Sequence, residues 1–136
     1  MENNSEVIPI ETTGESFFKE YLLLKKPLLE YILGVINKRK IIFNTKMIEV
    51  LSYLLYYNYI YKDMEEDAKW DMIFNSGTKK QIADKIGISL KNLNTYISLL
   101  RSVKVLNEKT INKPFIIYPD KTYELTFKFI LSNGQQ

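Results

Sequence analysis

Between Leu90 and Val105 the chain carries Lys91, Asn92, Asn94, Thr95, Ser98 and Arg101, and no acidic residue. Amides of this kind can bond an adenine edge, hydroxyls can donate or accept, and Lys and Arg can reach a phosphate oxygen or a guanine. Once the apolar residues are assigned to one face of a helix, these six fall on the other. An ordinary exposed helix of this length mixes both charge signs. The stretch suits hydrogen bonding to an anionic partner.

Most other chemistries are closed. The chain has neither Cys nor His, which excludes disulfides, thiolate nucleophiles, imidazole bases and zinc sites of the Cys/His type. Glu65, Glu66, Asp67 and Asp71 form an acidic cluster. Clustered carboxylates can bind Mg²⁺. With no phosphate-cradling loop and no second carboxylate group, a solvated loop is the better reading, and no metal or cofactor is expected. A tyrosine nucleophile acting on DNA needs an arginine-rich pocket, and Arg39 and Arg101 are the only arginines. Catalysis is not expected.

The charge is unevenly placed. From Thr78 to the end there are ten Lys or Arg against four Asp or Glu, a balance of +6. From Met1 to Gly77 there are nine against twelve, a balance of −3. Such asymmetry makes the second half the one that faces an anion, or leaves it with a basic solvated face. No apolar run approaches the roughly 20 residues that cross a bilayer. The acidic start MENNSEVIPIETTGE is unlike a signal peptide. A cytoplasmic protein, or one inside a phage particle or infected cell, is expected, with no membrane partner.

The elements that must position these residues follow from periodicity. Residues 1–14 lack it and form a flexible arm by expectation. Ser16 is a candidate cap for a helix bearing Phe17, Phe18, Tyr21, Leu22 and Leu24. Pro27 should break it and open a second short helix to Asn37, because proline lacks an N–H yet suits a first turn. Residues 15–43 thus make a helical N-terminal extension. Asn44 or Thr45 caps a longer helix with Met47, Val50, Leu51, Leu54, Leu55 and Tyr61 in a stripe. Its tyrosines at 53, 56, 57, 59 and 61 suit a core or an interface better than a base-stacking platform. Met72–Phe74 is expected as a short strand.

Thr78 then caps KKQIADKI, Gly87 ends that helix, and Ser89 caps a second one running to about Val103. Ile82, Ala83, Ile86, Ile88, Leu93, Tyr96, Ile97 and Leu100 are the apolar set of the pair. This pattern resembles the helix-turn-helix family, over Lys79 to Leu100. The resemblance implies a second helix lying in the major groove of double-stranded DNA. It implies contacts from Thr78, Lys79, Lys80, Ser89, Lys91, Asn92, Asn94, Thr95, Ser98 and Arg101.

PFIIY and YELTFKFIL are two β-rich runs joined by PDKT, a sound turn. A hairpin after such a helix marks winged-helix domains, which residues 44–136 resemble. The expected fold is therefore mainly α with a C-terminal β-hairpin, a winged helix-turn-helix preceded by N-terminal helices. FIIYPD resembles, over few residues, winged domains of plasmid and phage replication initiators. Lys121 at the hairpin tip, with Lys109 and Lys113, is placed to meet phosphate or to protect an edge strand. Many winged helices have a glycine where this chain has Lys104.

A DNA-binding transcriptional regulator or replication-associated factor of a bacterium, plasmid or phage is the leading expectation. The N-terminal helices would dimerise it or extend its core. The alternative is a structural or assembly protein, such as a phage-particle component, using the same fold to dock proteins.

Overall fold

The computed structural model describes residues 12–119 and 130–131. Five helices follow in order: α1 (Gly14–Asn37), α2 (Thr45–Ile60), α3 (Glu66–Ile73), α4 (Ser76–Ile86) and α5 (Leu90–Ser102), then a 3₁₀ turn at Lys113–Phe115. α2 is the central element. Its buried residues lie all around it, from Met47 and Ile48 through Val50, Leu54 and Leu55 to Asn58, the mark of a core helix. α1, α3, α4 and α5 all pack on it. Phe18, Leu22 and Leu33 of α1 belong to the same buried cluster as Ile82, Leu93, Ile97 and Leu100.

α1 is one helix, not two. Thr13 caps it, its hydroxyl accepting from Ser16 N at 3.1 Å; Ser16 is inside the first turn. Pro27 stands in the interior of the helix. An interior proline costs a helix about 3 kcal/mol. Each large apolar side chain buried contributes about 1.5–3 kcal/mol. Phe18 and Leu22 before the proline and Leu33 after it are all buried, so continuity across Pro27 wins. Lys38, at φ 56, ends the helix in the left-handed conformation.

The expected strand at Met72–Phe74 is instead the end of α3, with Phe74 as its C-cap. The acidic cluster explains why a helix starts there. Glu65 accepts from Asp67 N at 3.0 Å and Ala68 N at 3.1 Å, while Glu66 and Asp67 sit at the positive end of the helix dipole.

The expected C-terminal β-hairpin and winged helix are not seen: among the described residues there is no strand and no sheet. Only an isolated bridge joins Leu106 to Ile111. PFIIY begins inside the 3₁₀ turn, where Pro114 favours a turn over a ladder. The run packs directly on the helices, with Ile111, Phe115 and Ile117 buried in the common core. The second run, apart from Ile130 and Leu131, lies outside the described residues, as do Lys121 and residues 1–11. No helix among the described residues is long and apolar enough to cross a membrane.

Candidate nucleic-acid interface

Local chemistry sets the α4–α5 pair. Asn75, rather than Thr78, caps α4: its Oδ1 accepts from Thr78 N at 2.7 Å. Thr78 is buried, and its hydroxyl donates to Met72 O at 2.8 Å, joining the end of α3 to the start of α4. Both its polar groups serve the fold. Gly87 takes φ 84 and ψ 36, where a side chain is strained. Gly87 N and Ile88 N both donate to Ala83 O, at 2.8 and 3.0 Å. Ser89 then caps α5, accepting from Asn92 N at 3.1 Å. Three residues thus join the two helices, and buried Ile82 and Ala83 belong with Leu93 and Ile97 to one packed cluster.

α5 divides cleanly. Leu93, Ile97 and Leu100 are buried, while Lys91, Asn92, Asn94, Thr95 and Ser98 are exposed. Lys91, Thr95, Ser98 and Ser102 follow one another at three- and four-residue spacing and share the outer face. Thr95 Oγ1 donates back to Lys91 O at 3.1 Å, which fixes its rotamer. Lys79 of α4 reaches across, its Nζ donating to Asn94 Oδ1 at 3.2 Å. That contact brings a cation to the edge of the polar face. It uses the Asn94 amide oxygen and leaves the amide N–H donors for another acceptor. Lys80 is exposed beside Lys79.

Arg101 is placed differently from the other five. It is half-buried, with Nε donating to Asn107 O at 3.2 Å and Nη2 to Glu108 O at 2.6 Å. Its guanidinium lies 6.0 Å from the Phe74 ring centroid. It clamps the loop after α5 onto the helix. A cleft of about 490 Å³ lies alongside, lined by Trp70, Asp71, Phe74, Lys79, Arg101, Glu108 and Lys109. Two carboxylates there offset the three cations.

Two exposed apolar residues of this helix escaped the sequence reading. Leu90 and Leu99 are both exposed, and Leu99 adjoins Ser98 and Ser102. A methyl-rich side chain in such a setting can meet the thymine methyl. Neither belongs to the apolar set of the helix pair, and their apolar type kept them out of the polar set, so they were assigned to neither.

On the far end of α4, Lys85 donates to Glu15 Oε1 at 2.9 Å, which raises its pKa above the ordinary lysine value. Lys85 holds α1 to α4 and stands apart from the polar face. Among the described residues no group of three or more Asp or Glu side chains is placed to hold a metal ion. Comparison with protein-family models, with curated proteins and with solved structures returns no match to this chain.

Proposed function

We propose that this chain is a double-stranded DNA-binding protein that presents α5 to the major groove, as a regulator or a replication-associated factor. The observation that carries the reading is the outer face of α5. Lys91, Asn92, Asn94, Thr95 and Ser98 are exposed together there, no acid interrupts them, and Lys79 joins them from α4. Amides and hydroxyls at the centre supply base-edge bonds, and cations at the rim supply phosphate contacts. The α4 lysines Lys79 and Lys80 flank the face as backbone contacts.

The test is fluorescence anisotropy with mixed-sequence duplex DNA across a salt series. Binding should weaken linearly in the logarithm of salt, with a slope near −0.9 per phosphate neutralised. Lys91→Ala should reduce that slope by about one phosphate contact, while Asn94→Ala should weaken the selected site by about 1–3 kcal/mol and leave the slope unchanged. Absence of binding at low salt, or binding indifferent to both variants, overturns the reading.

A further inference from the structure

We propose that α1 joins two copies of this chain in an antiparallel dimer, through Leu24, Leu28, Tyr31 and Val35. The starting observation is exposure. Leu24 is 65% exposed, Tyr31 70% and Val35 63%, on a helix whose other face carries buried Phe18, Leu22 and Leu33. With half-buried Leu28 they form a stripe in steps of four, three and four residues. That is the alternation by which one helix seats against another.

The spacing also selects the occupant. Steps of four, three and four read the same in both directions. A second α1 laid antiparallel therefore sets Leu24 against the other copy's Val35, and Leu28 against its Tyr31. This is the self-complementarity that a two-fold interface requires. A receiving site is present too. A cleft of about 460 Å³ is lined by Pro27, Glu30, Tyr31, Gly34 and Val35 on α1, with Arg39, Lys40 and Ile41 beyond. Pro27, Glu30, Tyr31 and Gly34 have the spacing of the four residues that make a hole for a knob. Gly34, with no side chain, leaves that hole open.

Charge favours the antiparallel sense. Lys38, Arg39 and Lys40 are exposed just past the C-terminal end of the stripe. A parallel pair would bring both sets of cations together. The antiparallel sense sets the two groups of cations at opposite ends of the pair. Glu30, the acid in the middle of the stripe, is turned inward, with Oε2 accepting from Phe43 N at 2.7 Å. The proposal stands independently of the DNA reading, since α5 takes no part in it.

Sedimentation equilibrium of the full chain between about 1 and 200 µM, the range for a modest interface, should show a mass rising to twice that of one chain. Tyr31→Glu should leave a monomer with the wild-type circular dichroism, because the residue is solvent-facing. Its melting curve should match the wild type at the dilute end of the range, where the wild type is monomeric too. The register has its own test, as the chain has no cysteine of its own. Leu24→Cys mixed with Val35→Cys should give a cross-linked pair under a short bifunctional thiol reagent, and neither variant alone should do so. Self-cross-linking of Leu24→Cys, or a monomer at every concentration, overturns the proposal. So does a monomer that binds anionic phosphatidylserine vesicles through the same residues, which would make the stripe a lipid-facing surface.

Discussion

Arg101 on α5 holds the backbone carbonyl of Glu108 at 2.6 Å through Nη2, and the companion bond from Nε reaches Asn107 at 3.2 Å. A hydrogen bond from a charged donor contributes about 1.5–3 kcal/mol. Arg101→Met, which keeps the apolar stem, should therefore lower the unfolding free energy by about 1–3 kcal/mol in urea titrations. Arg101→Lys should fail to restore it, because an ammonium cannot span two carbonyls as a planar fork does. An unchanged urea midpoint in both would show that the clamp contributes nothing.

Lys104 has φ 73, a conformation that costs a residue with a Cβ about 1–2 kcal/mol. Lys104→Gly removes that strain and gives part of the gain back as unfolded-chain entropy. A net stabilisation of about 0.5–1 kcal/mol is expected in urea or thermal unfolding. Lys104→Ala is the control. It removes the charge and keeps the strained backbone, so it should not stabilise.

Pro27→Ala should raise the unfolding free energy by about 1–3 kcal/mol, since alanine restores an N–H to the interior of α1 and removes the ring clash. Calorimetry on the monomeric Tyr31→Glu background isolates this effect from any change in association. A loss of stability there would mean that Pro27 packs rather than strains.

The acid limb of stability carries a contribution from Glu66. Trp70 Nε1 donates to its Oε1 at 2.7 Å and Lys69 Nζ lies 3.2 Å away; these two bonds, the indole first, lower its pKa from the ordinary 4.5. A depressed folded value means full stabilisation above the unfolded pKa and progressive loss as pH falls through the folded one. Glu66→Gln keeps an acceptor for the indole without a titrating group. Its melting temperature should fall less steeply than wild type between about pH 5 and pH 3. The difference should be small, because the carboxylate is largely exposed. Parallel acid limbs would assign the pH dependence to other carboxylates.

What the sequence made legible was what short-range chemistry decides. Gly87 in the left-handed turn and Ser89 as a cap follow from side-chain size and reach over three residues, and of the two cap candidates Asn44 and Thr45 the structure takes Asn44. The exposed face of α5 followed equally, because its polar residues recur at helical spacing. Pro27 was misleading because burial of Phe18 and Leu33, on opposite sides of it, is a tertiary effect. Met72, Ile73 and Phe74 are too few to distinguish a strand from a helix end, and the deciding signal was the acidic start at Glu65. Thr78 and Asn75 are both good capping types, and only the contact of Thr78 with Met72 separates them. Phe115 and Ile117 alternate as a strand would, yet they are buried in the helical core, and among the described residues no strand pairs with them. Arg101 had the right chemistry for phosphate, but a loop carbonyl lay closer.

The amide of Asn37 touches two helices at once. Its Nδ2 donates to Leu33 O at 2.9 Å within α1 and to Val103 O at 3.0 Å at the end of α5. Neither helix end can fray without releasing the donor that the other shares. Backbone amides in the last turns of α1 and α5 therefore belong to one opening unit in hydrogen exchange, with matching protection. Asn37→Ala should split that unit, leaving the two ends to exchange at different rates while α2, at the centre, keeps its own.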